Sequence, residues 1–291
     1  MLAGCGGATR VTFPADTVNQ AVQQICKTLY KLDVITRSHN DTLGVLLYAD
    51  HLVDPNGEFD REFVSDALLN LSTAVTRVAL STDKTIDFVV VVLRGKDDEN
   101  QIRIIRSVVD IKKAQTDALS VEESMNRTVQ ELGKYNYDPL KADEIPLADV
   151  SMEHFLTKQI AQRVRLLAPV KTSGPPMLPS EIVEGRFLDT PQRTFEFSIL
   201  TFEASEPSNN VLKILKQADE VLKGYHYEEF DEIVVKDLLG RKVLTVRRED
   251  YLKYQKKEIS EADVLALGFK DDLTSADHFK NALEVFEYPI Q

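Results

Sequence analysis

Between Ile86 and Leu93 the apolar positions form a run broken only by Asp87, and four consecutive valines, Val89 to Val92, carry β-branched side chains suited to a pleated sheet. A run apolar on both faces is the pattern of a central strand covered on both sides. A polar interruption from Arg94 to Asn100 precedes Ile102, Ile104 and Ile105, so the spacing predicts a hairpin with a long loop. Ahead of it, Phe63, Val64, Ala67, Leu68, Leu71, Val75 and Val78 recur at helical spacing between Arg61 and Leu80 and should form the buried face of a helix, with Asp60 as the cap. Behind it, Ser120 followed by Glu123 predicts a capping box and a closing helix that runs to Leu132 and ends at Gly133.

The same order opens the chain. Thr17 with Gln20 predicts a capping box for a helix whose stripe is Val18, Val22, Ile25 and Leu29. Asp33 to Arg37 and Thr42 to Ala49 then form a hairpin about the turn formers Asn40 and Asp41. In the second half, Met152, Leu156, Ile160, Val164 and Leu167 define a helix stopped by Pro169, and a proline-rich extended loop covers Lys171 to Ser180. A hairpin of Glu181 to Leu188 with Gln192 to Ala204 follows, then a helix from Ser208 to Leu222 with Gly224 as terminator. The last hairpin joins Phe230 to Lys236 with Lys242 to Arg248, Ser260 opens another helix, and Ser275 to Phe286 reads as one more.

Asp110, Lys113, Gln115 and Ser120 recur as Asp250, Lys253, Gln255 and Ser260 at a constant offset of 140 positions. The expected fold is therefore α+β: two tandem, internally duplicated helix-strand-strand-helix-strand-strand domains built from antiparallel hairpins. Its boundaries are a tether over 1–14, a first domain over 15–133, a linker over 134–150 carrying Pro139 and Pro146, and a second domain with C-terminal helices over 151–291.

Composition fits ordinary globular domains, with 43% hydrophobic and 28% charged residues in 291. A net charge of −12 disfavours a nucleic-acid partner, which needs a basic field. No segment reaches the roughly 18 apolar residues required to span a bilayer.

Leu2-Ala3-Gly4-Cys5 resembles the lipobox of bacterial lipoproteins, a four-residue motif in which small residues precede a cysteine that is diacylated on sulfur. The charged and apolar regions that lead up to a lipobox in a signal peptide do not precede Met1 in this sequence. The resemblance implies lipidation at Cys5 and a chain anchored in the cell envelope facing the periplasm; the alternative is a cytoplasmic chain with an incidental Cys5. With Cys5 acylated, Cys26 has no intramolecular partner and reads as an apolar filler of its helix.

Catalytic and metal signatures are sparse. No paired-cysteine site, His-Glu-x-x-His, nucleophile elbow or phosphate loop occurs, and no cofactor is expected. His39 and His51 flank one strand with Asp41, Asp50 and Asp54 nearby, a conceivable carboxylate–histidine pair set against the simpler reading of loop residues. Asp54 to Gly57 would make a poor calcium loop, because Leu52 and Phe63 would take positions that need oxygen ligands; a surface turn is the better reading. The remaining candidate is basic: Arg103, Arg106 and Lys113 in one copy, and Arg247, Arg248 and Lys253 in the other. These could hold an anionic ligand, a membrane headgroup or an acidic partner surface, or simply protect strand edges. The function this implies is a non-enzymatic envelope lipoprotein that binds other envelope proteins, and the alternative is a ligand-binding protein or enzyme using a cleft between the halves.

Overall fold

The computed structural model describes residues 12–53, 60–96, 100–134, 150–167, 181–201 and 205–271. It divides into two compact units, Met1–Val150 and Ser151–Gln291. Among the described residues no helix is long and apolar enough to cross a membrane.

The first unit runs α1 (Val18–Ile25), β1 (Ile35–His39), β2 (Thr42–Ala49), α2 (Arg61–Ala79), β3 (Phe88–Gly95), β4 (Asn100–Ser107), α3 (Val108–Gln115), α4 (Val121–Asn126) and β5 (Val129–Lys134). The second repeats it: α5 (Met152–Leu167), β6 (Glu181–Leu188), β7 (Thr194–Thr201), α6 (Pro207–Tyr225), β8 (Glu232–Asp237), β9 (Lys242–Arg247), α7 (Arg248–Gln255), α8 (Glu261–Gly268) and β10 (Phe269–Asp271). Each builds a five-stranded sheet, in the orders β1-β2-β3-β4-β5 and β10-β9-β8-β7-β6. The hairpins are antiparallel, and the crossover helices α2 and α6 set the pairs β2–β3 and β7–β8 parallel. The valine run is thus the middle strand, as its two apolar faces require.

The offset of 140 holds from the last hairpin strand through the next helix and the following serine cap, and slips by one residue in the pairing of the final strands, where Val129 meets Ile105 but Phe269 meets Leu244. α3 and α7 occupy matching eight-residue spans, and Asp110 and Asp250 are each the third residue of their helix. Ser120 and Ser260 both cap, accepting from the amides of Glu123 and Asp263, and only the second closes a reciprocal box. Strand registers extend the equivalence backwards, pairing Thr42 with Thr194 and Phe88 with Glu232.

Four expectations change. The closing helix from Ser120 to Leu132 is short: α4 ends at Asn126, and Val129–Lys134, Gly133 included, forms edge strand β5. Val121, Met125, Val129 and Leu132 fit a helical period, but Ile105 and Ile102 of β4 offer an unpaired edge opposite Val129 and Leu132, so sheet pairing overrides propensity. Thr17 does not cap α1; it sits in a turn and its hydroxyl donates to the Pro14 carbonyl at 3.0 Å. Gly224 lies inside α6, which ends with His226 in the left-handed region. Phe63, on the first turn of α2, is exposed. Asp60 caps α2 as read, and the tail helix over 275–286 lies outside the described residues.

The two sheets differ in their faces. In the first, Leu43, Val45, Leu47, Val89, Val91 and Leu93 meet α1 and α2 in one core. On the opposite face Leu46, Phe88, Val90, Val92, Ile105 and Val129 are buried as well, beside the Arg103–Glu131 and Arg94–Gln101 pairs. In the second, Phe195, Phe197, Ile199, Ile233 and Val235 are buried on the face that meets α5 and α6, where Phe187, Phe195, Phe230 and Tyr251 stack edge to face at centroid distances of 4.9, 5.5 and 5.4 Å. Its other face carries a polar ladder, Thr194, Glu196, Ser198, Glu232, Lys236, Thr245 and Arg247, together with Val234, Val243 and the buried pair Ile182 and Leu200, which cluster with Leu238.

Candidate functional site

The basic residues do not form two matching patches. By strand register and offset, Arg103 and Arg106 stand where the second unit has Val243 and Val246, and Arg247 and Arg248 stand where the first has Ser107 and Val108. Lys113 and Lys253 alone are equivalent. Carboxylates hold several of these cations: Arg103 with Glu131 at 3.0 Å, Arg248 with Glu228 at 3.0 Å, and Lys253 with Asp250 at 3.1 Å. Arg106 faces the helix side of β4, where burial pulls its pKa down and Asp110 pushes it back up. Arg247 is exposed at the end of β9. An exposed ion pair contributes about 0–1 kcal/mol, and its cation adds little to a steering field.

The histidine pairing also dissolves. His39 ends β1 and His51 follows β2, so they lie at opposite ends of an eight-residue strand, about 25 Å apart at ~3.3 Å per residue. Asp50 is drawn to Lys96 at 2.8 Å, which holds its carboxyl below the usual range. The turn of Asp54 to Gly57 and the motif around Cys5 lie outside the described residues. Cys26 is fully buried, and burial pushes its thiol up to about 11, so it packs as a small apolar group and stays protonated.

A polar cluster in the second unit fixes a loop. Glu153 of α5 takes the Tyr227 hydroxyl at 2.6 Å and Arg193 Nη2 at 2.9 Å, while Arg193 Nη1 reaches Glu229 at 3.3 Å. Asp231 accepts the Arg193 amide at 2.8 Å. Burial and the Glu153 carboxylate push the Tyr227 phenol far up, so it stays a donor. These groups satisfy one another and pin the β6–β7 turn against α5.

A different surface stands out in the first unit. Val121 is 80% exposed and Met125 63%, one turn apart on α4, with Val109 of α3 and Leu132 of β5 exposed on the same short segment. Single exposed apolar side chains are ordinary; several large ones within 24 residues are not. The second unit supplies an internal control. At the offset of 140, Val109 and Val121 become Glu249 and Glu261, and Glu261 is tied to Lys216 at 3.0 Å. The plan therefore accepts charge at these positions, and the first copy keeps valine. Comparing the two copies position by position would have revealed this from sequence; reading each helix for its buried stripe did not. In comparisons with known proteins, no family model, no curated protein and no solved structure matches the chain.

Proposed function

We propose that the chain is a non-enzymatic, lipid-anchored module of the bacterial cell envelope that acts by binding another protein, with Cys5 as the anchor and the α3–α4–β5 surface of the first unit as the contact. The observation that carries this reading is the exposure of Val109, Val121, Met125 and Leu132, where the second copy has glutamates at two of the four places. The buried centre of a protein interface is more apolar than the surrounding surface, is enriched in methionine and leaves charged groups at its rim. Glu122, Lys112 and Lys113 flank the patch in sequence and would supply that rim. The sequence has two cysteines and Cys26 is buried in the first core, which supports reading Cys5 as the acylated one. Two or more acyl chains on one cysteine anchor stably where a single chain is marginal.

A photo-crosslinking residue placed at 121, and separately at the equivalent position 261, tests the surface in living cells. A discrete adduct from 121 with none from 261 is the expected result; equal labelling from both sites would remove the argument for this face. Incorporation of labelled fatty acid into the full precursor, compared with Cys5→Ser, tests the anchor, and equal label in both proteins would eliminate it.

A further inference from the structure

The second unit carries a polar corner where the first is apolar. At the carboxyl ends of the parallel strands β7 and β8, the helix-facing residues are Thr201 and Asp237, and Glu181 of β6 pairs directly with Thr201. Thr201 is 4% exposed and Glu181 7%, and Asp237 and Asn210 of α6 are buried beside them. Strand register puts Ala49 and Leu93 of the first unit at the places of Thr201 and Asp237, both inside the first core. The fold therefore does not need polar groups here. Each buried polar group left unpaired costs about 1–3 kcal/mol, so a cluster of them is kept only where something repays it.

Most of the cluster is paired. Asn210 Nδ2 donates to Asp237 Oδ2 at 2.6 Å, the Gly240 amide donates to Asp237 Oδ1 at 2.6 Å, and Ser205 Oγ donates to Asn210 Oδ1 at 2.9 Å. Lys213 Nζ donates to Glu181 Oε1 at 2.5 Å. Two atoms are left over: Glu181 Oε2 and Thr201 Oγ1 are buried without a hydrogen-bond partner. They belong to directly opposed residues on one sheet face, whose Cβ atoms stand about 4.5–5.5 Å apart.

We propose that this corner, beneath the first two turns of α6, binds a hydroxyl group of a small uncharged polyol or sugar. The charges present select that class. Lys213 already occupies the other oxygen of Glu181 and repels a cation, while Glu181 Oε2 and Asp237 repel an anion. A hydroxyl can donate to Glu181 Oε2 and accept from the Thr201 O–H together, which completes both groups at once. Sheets with parallel strands take ligands beyond the carboxyl ends of those strands, which is where the corner lies. The site is separate from the α3–α4–β5 surface and does not depend on the anchor at Cys5.

The test is methyl and amide NMR of the intact chain, following the Thr201 methyl and the Gly240 amide during titration with glycerol and with myo-inositol. Ammonium chloride and sodium acetate serve as charged probes. Saturable shifts with the polyols are expected, weakened about ten-fold in Thr201→Val, the equivalent of one lost hydrogen bond, and retained in Thr201→Ser. Thr201→Ser also guards against a folding artefact in the valine variant. A corner that answers neither polyol holds water alone, and that result overturns the proposal. So does equal affinity in Thr201→Val, and saturation by ammonium or acetate in place of the polyols overturns the ligand class.

Discussion

Glu196→Gln is the sharpest probe of the second sheet's polar face. Glu196 is 9% exposed on β7; its Oε1 accepts from Arg186 Nε at 2.6 Å on β6, and its Oε2 from Lys236 Nζ at 2.6 Å on β8. A hydrogen bond to a charged group contributes about 1.5–3 kcal/mol net. Arg186, 62% exposed, counts as a surface pair of about 0–1 kcal/mol, whereas Lys236, only 18% exposed, keeps most of its share. Glutamine retains an amide oxygen as a neutral acceptor but removes the charge, so the expected loss is about 2 kcal/mol, most of it through Lys236. Burial pushes the Glu196 carboxyl up, but Lys236 and Arg186 outweigh burial and hold it below its ordinary value of 4.5. A carboxyl depressed in the folded state contributes stability that is complete above its unfolded pKa and is lost as pH falls through the folded one. The gap between wild type and Glu196→Gln should therefore be constant from neutral pH down to about 5 and shrink below about 4. Two units can unfold separately, so the assay is hydrogen exchange on peptides from β7 and β8 across this range, with β2 and β3 as the internal reference. A gap under about 0.5 kcal/mol at neutral pH, the ordinary scatter of surface substitutions, would refute the ion-pair argument. So would a gap that does not shrink in acid.

Two further outcomes follow from packing. A Cβ at Gly268 would stand 2.0 Å from the Thr245 carbonyl oxygen, so Gly268→Ala must push α8 off β9; early exchange of the β9 and β10 amides should report it, while Gly133→Ala, with nothing near its Cβ, should leave its own unit unchanged. Cys26 should resist an aromatic disulfide reagent at neutral pH until the first unit opens, because its thiol is buried and held protonated near 11; rapid labelling of native Cys5→Ser protein would contradict the burial.

What the sequence disclosed was local. The valine run, the hairpin of Thr42 to Ala49 and the caps at Asp60, Ser120 and Ser260 are signals spelled by neighbours in the chain, and they stand in the structure. β5 was hidden because Val129 and Leu132 obey a helical period, and only the unpaired edge of β4 makes them strand. The basic residues looked repeated because lysine and arginine recur in both segments; strand register, invisible in sequence, sets Arg103 opposite Glu131 and moves Arg247 and Arg248 to unrelated positions. The polar corner was equally out of reach: Glu181, Thr201, Asn210 and Asp237 come from four elements, and each alone reads as an ordinary strand end or helix turn.

Tandem copies of one plan carry a folding hazard, because a strand from one copy can compete for its counterpart's place in the other sheet. Here the unlike faces work against the exchange. β7 or β8, inserted at the position of β2 or β3, would carry Glu196 to the place of Gly44, Ser198 to that of Leu46 and Lys236 to that of Val92, three positions that the first sheet keeps buried and free of polar side chains. Burying an unpaired ion costs on the order of several kcal/mol even after relaxation. That is a large part of the roughly 5–15 kcal/mol that holds a domain together. The charged ladder across β6, β7 and β8 thus marks each strand with the sheet it belongs to, and the divergence of the two copies keeps them from trading parts as the chain folds.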